Sequence, residues 1–215
     1  ATIVDAKIPI WGEVELAYQF AKGKLAAITG TNGKTTTTAL TGEILKAHFE
    51  NVFVVGNIGI PYTEIALQTE DDSVTVAEIS SFQLETIMDF HPNVSAILNI
   101  TPDHLNRHKT MENYIDIKKS ISLNQTEEDS IVLNYDDPVL REFGEDPEKK
   151  PKAKVVFFSS REKLKEGFYL DGDDIMYRKN GKEILVINVH DMNLLGRHNY
   201  RNVMAGAPAR IAMGV

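Results

Sequence analysis

Short, almost wholly apolar runs alternate along this chain with longer stretches whose apolar residues recur every three to four positions. Leu25-Ala26-Ala27-Ile28-Thr29 predicts a buried strand, and residues 52–55, 74–79, 94–100, 131–134 and 155–158 predict five more. Between them, residues 35–49 predict a helix with Leu40, Ile44 and Leu45 at helical spacing. Residues 61–67 predict a short helix opened by Pro61, and residues 111–122 and 138–143 predict two others. Runs without a polar face belong to strands covered on both sides. Strand–helix alternation of this kind predicts an α/β fold: a mostly parallel sheet with helices on both faces.

The rhythm changes further along. Residues 168–170, 175–177 and 184–189 predict short strands, separated by turns at 171–174 and 179–182. The second turn carries the hairpin pair Asn180-Gly181. These strands predict a small antiparallel β-sheet near the C-terminal end, beside the main one. Residues 199–213 close the chain as a helix that Pro208 is expected to bend or interrupt. The charged segment 145–154 reads as a solvated connection.

Composition narrows the class. With 215 residues, 42% hydrophobic and 25% charged, the chain is globular: one large domain, or one domain with a small appendage. The absence of cysteine excludes a disulfide scaffold, a thiolate metal site and a cysteine nucleophile. No apolar run approaches the roughly 20 residues of a membrane span, so no membrane association is expected. A formal net charge of −8 argues against a nucleic-acid partner. The chain opens on Ala1 without a signal-peptide pattern, which reads as a piece of something longer.

The chemistry concentrates in Thr29-Gly30-Thr31-Asn32-Gly33-Lys34-Thr35-Thr36, between a predicted strand and a predicted helix. That is where a P-loop NTPase-like fold places its phosphate loop. Gly30 and Gly33 allow backbone N–H groups, with those of Thr31 and Asn32, to turn toward phosphate oxygens. The helix start adds the positive end of its dipole. Lys34 supplies a point charge to the terminal phosphates of ATP, and the hydroxyl of Thr35 or Thr36 is a candidate Mg²⁺ ligand. The usual pattern has glycine where this chain has Ile28.

Other polar residues follow strands, at the rim where open α/β sheets bind ligands. Glu78 ends one buried run and is either an ordinary strand-end carboxylate or a Mg²⁺ ligand. Asn57 stands in a glycine-flanked turn, and Asp103-His104 follows another strand. On the helix at 111–122, Lys118 lies within about 20° of Met111, in the middle of an apolar stripe. A bare ammonium there is costly. Either it snorkels outward, or its amine is paired or modified.

Taken together, these segments resemble the Mur ligase superfamily. The loop at 28–36 resembles its ATP loop, which also lacks the first glycine. Glu78-Ile79-Ser80-Ser81-Phe82-Gln83-Leu84-Glu85 and Gly56-Asn57-Ile58-Gly59-Ile60-Pro61 resemble the branch that adds D-glutamate. Thr101-Pro102-Asp103-His104-Leu105-Asn106-Arg107-His108 resembles the D-H-L-D-x-H loop, with Asn106 where aspartate is usual. Lys118 matches the carbamylated lysine, and Gly196-Arg197-His198-Asn199-Tyr200-Arg201-Asn202 resembles the G-x-H-N-x-x-N segment.

The resemblance implies a central ATP-binding domain at 25–215. Residues 1–24 would lead in from an N-terminal UDP-binding domain, and a C-terminal domain would lie outside this chain. It implies an ATP-dependent ligase of the bacterial cytoplasm, acting in peptidoglycan precursor synthesis and expected to be monomeric. The carboxylate of UDP-N-acetylmuramoyl-L-alanine would take the γ-phosphoryl group, and the amine of D-glutamate would displace phosphate from the acyl phosphate. The implied cofactors are ATP, two Mg²⁺ ions and a CO₂-derived carbamate on Lys118. Lys34, His104 and Lys118 would be catalytic; Thr35, Thr36, Glu78, His104 and carbamylated Lys118 would hold metal. Asn199 and Asn202 would lie on the adenine side, and Asn57, Ser80 and Ser81 near the muramoyl-alanine end. Other ligases of the superfamily, folylpolyglutamate synthetase and a nucleotide-dependent switch are the competing readings. Ser80-Ser81-Phe82-Gln83-Leu84 argues against the first two, and the absence of a guanine-reading N-K-x-D argues against the third.

Overall fold

Nine strands form one continuous sheet in the computed structural model, which describes residues 9–57, 59–192 and 197–214. The strands are β1 (Lys24–Thr29), β2 (Val52–Gly56), β3 (Val74–Glu78), β4 (Val94–Ile97), β5 (Ser130–Asn134), β6 (Lys154–Ser159), β7 (Gly167–Asp171), β8 (Asp174–Lys179) and β9 (Lys182–Asn188). Their spatial order is β2-β3-β1-β4-β5-β6-β7-β8-β9. All pairings from β2 to β7 are parallel, and β7-β8-β9 are antiparallel. The antiparallel strands expected near the C-terminal end are present. Instead of standing beside the main sheet they extend it, because Phe158 and Ser159 of β6 pair with Phe168 and Tyr169 of β7.

The helices are α1 (Glu13–Phe20), α2 (Lys34–Lys46), α3 (Tyr62–Ile65), α4 (Ser81–Leu84), α5 (Leu105–His108), α6 (Met111–Lys119), α7 (Pro138–Glu145) and α8 (Arg197–Ala212). The sheet separates two cores, and the period-2 alternation inside each apolar run decides which residue joins which. Leu25 and Ala27 of β1 face a core shared with Val14 of α1, Tyr62 of α3, Tyr114 of α6 and Leu140 of α7. Ala26 and Ile28 face the other, with Leu45 of α2 and Val203 and Met204 of α8. A continuous apolar run was therefore the right signature of a doubly covered strand.

The structure differs from the sequence expectations at three places. β4 ends at Ile97 rather than residue 100, because the backbone beyond Leu98 leaves β5 to support the loop after β1. The core-facing side of α2 is Thr37, Thr38, Thr41, Gly42 and Leu45, with Leu40 and Ile44 only half-buried. Small residues are needed there: a Cβ on Gly206 of α8 would stand 2.6 Å from the Thr41 hydroxyl, and one on Gly42 would stand 2.4 Å from Val54. Pro208 lies within α8, which continues through it to Ala212.

The segment before β1 contributes α1, which packs on the core through Val14 and Ala17. Residues 1–8, Ile58, 193–196 and Val215 lie outside the described residues, and so do the side chains of Arg197 and His198. The Gly196 end of one sequence motif is therefore not placed.

Candidate active site

β1 lies between β3 and β4, and the chain leaves its C-terminal end in one direction while β4 takes it in the other. A crevice opens at such a switch point. The loop from Gly30 to Gly33 fills it. Gly33 is the N-cap of α2 at φ 86°, a left-handed conformation that a side chain would strain. It offers no side-chain cap to α2. The N–H groups of Gly33, Lys34, Thr35 and Thr36 consequently have no acceptor among the described residues. A helix of 13 residues thus directs an uncapped N-terminus into the crevice, the arrangement that binds anions.

The other half of the loop is held by its neighbours. Thr31 N donates to Asn99 O at 3.0 Å, Asn32 N donates to Asn99 Oδ1 at 2.9 Å, and Asn99 Nδ2 donates to Asn32 O at 2.9 Å. The amides of Thr31 and Asn32 are therefore already engaged, and the free cradle is Gly33 to Thr36. The Thr31 hydroxyl accepts from Thr101 N at 3.0 Å and lies 3.2 Å from the Tyr114 hydroxyl. This links the loop to the 101–104 segment and to α6. Lys34 folds back, its Nζ donating to Thr31 O at 3.0 Å.

Lys118 emerges from α6 into this site and is 2% exposed. Its amine donates to Thr29 Oγ1 at 3.2 Å and sits 5.1 Å above the Tyr114 ring. It does not snorkel. Burial, reinforced by the nearby positive charge of Lys34 and opposed by Asp103, pushes its pKa down to about 7. Glu78, at the end of β3, is 3% exposed. No hydrogen bond or ion pair reaches its carboxyl oxygens among the described residues, leaving a buried polar group available to a ligand.

A pocket of about 90 Å³ lies between the loop after β1, Lys118 and the segments after β2, β3 and β4. Gly30, Lys34, Asn57, Ser80, Ser81, Phe82, Asp103, His104, Tyr114 and Lys118 line it. Asn57 follows β2 and is anchored by its N–H to Glu78 O at 3.0 Å. Ser80 caps α4, and Ser81 begins it. His104 adopts φ 49° at the N-cap of α5, with its N–H on Asp103 Oδ1 at 2.8 Å. The Phe82 ring lies 5.0 Å from that of His104 and 5.4 Å from that of His108. Ser81 Oγ meets His108 Nε2 at 3.0 Å, while Glu85 approaches His108 Nδ1 to 3.3 Å without hydrogen-bond alignment.

Asn199 and Asn202 are buried on α8. Asn202 Oδ1 accepts from Thr37 Oγ1 at 3.2 Å, and a Cβ on Gly33 would come within 3.1 Å of it. These asparagines stand behind the phosphate loop, on the α2–α8 side. Sequence reasoning passed over Asn99, Tyr114 and Phe82 as site residues. Phe82 lies within the family segment at 78–85 and could have been found there, whereas the places of Asn99 and Tyr114 come from what the fold sets beside them.

The donor set fits Mg²⁺ carried by a nucleotide. Among the described residues, no three His, Asp or Glu side chains converge to cage a metal alone. Mg²⁺ keeps most of its ligands as water and phosphate and needs only one or two protein oxygens, which Glu78 and the exposed Thr35 and Thr36 would be able to supply. Larger cavities lie elsewhere: one of about 540 Å³ is lined by the end of α8, the start of β6 and residues of β7 and β8, and shares no residue with this pocket.

Known proteins share this sequence and fold. The family described as Mur ligase middle domain matches residues 28–209. A UDP-N-acetylmuramoylalanine–D-glutamate ligase of Lachnoclostridium phytofermentans is 58% identical over 212 residues, covering 98% of this chain and 46% of that protein. One from Alkaliphilus metalliredigens is 50% identical, covering 97% and 45%. The chain thus spans about half the length of these relatives. Among solved structures, a UDP-N-acetylmuramoyl-L-alanyl-D-glutamate–2,6-diaminopimelate ligase superposes with a TM-score of 0.69 at 22% identity, covering 94% of this chain and 46% of that one. The MurF ligase of Thermotoga maritima in complex with ADP does so at 0.63 and 20% identity, covering 94% and 48%. No helix among the described residues is long and apolar enough to cross a membrane. With a nine-stranded sheet that opens at β1 onto an uncapped α2, and with the family match running from the end of β1 into α8, the chain belongs to the Mur ligase family as its middle domain.

Proposed function

We propose that this chain is the ATP-binding part of a ligase that joins D-glutamate to UDP-N-acetylmuramoyl-L-alanine. The observation that carries the reading is the juxtaposition of free amides at Gly33–Thr36 with a pocket holding Lys118, His104 and Ser80. One end grips a polyphosphate, and the other receives the carboxylate to be activated. The relatives' D-glutamate ligase names support the amino acid and the UDP substrate.

Both reacting partners are anions, so the work of this site is positioning and charge neutralisation. The Gly33–Thr36 amides and the α2 dipole would hold the terminal phosphates. Lys34 would exchange its contact with Thr31 O for a phosphate oxygen. Glu78, with Thr35 or Thr36, would hold one Mg²⁺, and His104 a second. When bound, the metal neutralises phosphate charge. Lys118, reacting with CO₂ as a free amine, would become a carbamate and add an anionic oxygen on the metal side. Asn57, Ser80 and Ser81 would orient the muramoyl-alanine end. Asn202, through Gly33 and Thr37, would support the loop toward the nucleoside.

The test is phosphate release by the full-length protein with ATP, Mg²⁺ and UDP-N-acetylmuramoyl-L-alanine. D-Glutamate is expected to stimulate it and other amino acids to fail. Lys34→Ala is expected to lower turnover by about a hundredfold or more, the scale of losing one preorganised charge contact to a developing anion. Stimulation by another amino acid, or GTP preferred to ATP, would replace this reading with one of its competitors.

A further inference from the structure

Ser80 has a hydrogen-bonding environment that settles which way its proton points, and the group responsible lies outside the pocket. Glu13, in the first turn of α1, accepts from Thr63 N at 2.8 Å through Oε1 and from Gln83 Nε2 at 3.2 Å through Oε2. Only the NH₂ end of an amide can face a carboxylate, so the Gln83 carbonyl must point the other way. There Gln83 Oε1 accepts both the Ser80 N–H and the Ser80 O–H, each at 2.9 Å. Gln83 N returns a longer bond of 3.3 Å to Ser80 Oγ. A hydroxyl has one proton and two lone pairs. The proton and one lone pair are spent, leaving Ser80 a single acceptor for anything in the pocket it lines.

We propose that Glu13 is a positioning residue that fixes the proton order of the Glu13–Gln83–Ser80 chain, so that Ser80 accepts a hydrogen bond from an N–H or O–H group of the UDP substrate. The proposal rests on the substrate assignment above and deepens it. A serine able only to accept favours the amide or hydroxyl end of an acylated amino sugar. It disfavours a carboxylate oxygen, which also only accepts, and so leaves the reacting carboxylate to the cationic side of the pocket. It also gives the first turn of α1 a part in substrate recognition, without any contact between α1 and the ligand.

The full-length enzyme with a Glu13→Gln substitution tests this. The amide introduced at position 13 must keep its oxygen on Thr63 N, so its NH₂ faces the Gln83 NH₂. Either two donors stay opposed there, or Gln83 turns over, opposes the Ser80 N–H and lets Ser80 offer its proton to the pocket; in both cases the fixed proton order is lost. The expected result is a KM for UDP-N-acetylmuramoyl-L-alanine raised about tenfold, the worth of one hydrogen bond, with kcat and the KM for ATP within about twofold.

The double variant Glu13→Gln with Gln83→Glu restores the original order. The new NH₂ at position 13 donates to the new carboxylate at position 83, which again accepts from Ser80. Its KM should return to within about threefold of wild type. A merely structural role would lower kcat and ATP affinity together and would not be repaired by the exchange. An unchanged KM in Glu13→Gln, or a double variant no better than the single one, overturns the proposal. If the single variant fails to fold, the double variant decides alone by the same KM criterion. Wild-type enzyme that does not turn over the UDP substrate would instead overturn the substrate assignment, and that result is read before either variant is compared.

Discussion

Lys118 occupies a place where its charged form is penalised twice, by burial and by Lys34. With its pKa pushed down to about 7, roughly half the amines are neutral at that pH, whereas a surface lysine is almost wholly charged. Only the neutral amine attacks CO₂, forming a carbamate and releasing a proton. Full-length protein equilibrated with ¹³C-bicarbonate is therefore expected to show one carbamate carbon that strengthens between pH 6 and 8 and disappears in Lys118→Ala. That variant should lose most of its turnover and regain part of it with short-chain carboxylic acids. Wild-type turnover without rescue would remove the carbamate from the mechanism.

The same amine predicts a stability effect with a definite sign. Its folded pKa is lowered, so between about 7 and the unfolded value the unfolded chain holds more protons and stability rises with pH. Below about pH 7 the penalty is full. Lys118→Met should therefore stabilise unmodified protein most below pH 7, with the gain shrinking as pH rises, as read from thermal midpoints across that range. A gain that does not vary with pH would contradict the buried-amine assignment. The sequence made this residue legible because helical spacing alone puts Lys118 on the apolar stripe of α6. Asn99 was not legible: its amide pairs with the Asn32 backbone only after β1 and β4 come into register.

Among the helices, α1, α4 and α5 were missed, while α3, as short as α4 and α5, was read from its opening proline. α4 and α5 have four residues each, too few for a period to show. Yet α4 is signalled by its capping box, Ser80 with Gln83, which the family segment contains. α2 was found, but its buried face was misjudged, because threonines and a glycine pack where leucines were expected. α1 is the most consequential omission. Glu15, fully buried, accepts from the backbone N–H groups of Met88, Asp89 and Phe90 and from Gln19.

Burial by itself would push the Glu15 carboxyl up, but these donors outweigh it and hold the carboxyl below its usual range. Glu15→Ala leaves three amides without their acceptor and is expected to cost about 2–4 kcal/mol in chemical denaturation. Because the folded pKa is depressed, the stabilisation is complete above the unfolded value and is lost as pH falls through the folded one. The variant should therefore show a shallower loss of stability on acidification. Equal acid slopes for variant and wild type would mean that Glu15 is not the staple of α1.

Across the whole molecule, helices cover both faces of the sheet while the loops that line the candidate site emerge at the C-terminal ends of β1, β2, β3 and β4. That much follows from the alternation of apolar runs. What did not follow was the merging of the antiparallel strands into the same sheet, which rests on two residue pairs between β6 and β7. The arrangement also bounds what these 215 residues can do alone. The groups they would offer a nucleotide are concentrated on its phosphates, the Gly33–Thr36 amides and Lys34, and the pocket beside them is only about 90 Å³. Proteins of this family that match the chain are about twice its length. The isolated chain is therefore expected to bind MgATP with a dissociation constant on the order of 0.1–1 mM, weakening with salt as phosphate contacts do, and to form no amide bond. Calorimetry with the 215-residue chain and its Lys34→Ala variant measures the first part, and product analysis with both substrates measures the second. Micromolar ATP affinity that survives Lys34→Ala would place the binding energy outside the cradle, and amide formation by the isolated chain would show that the remaining half of such proteins is dispensable for the chemistry.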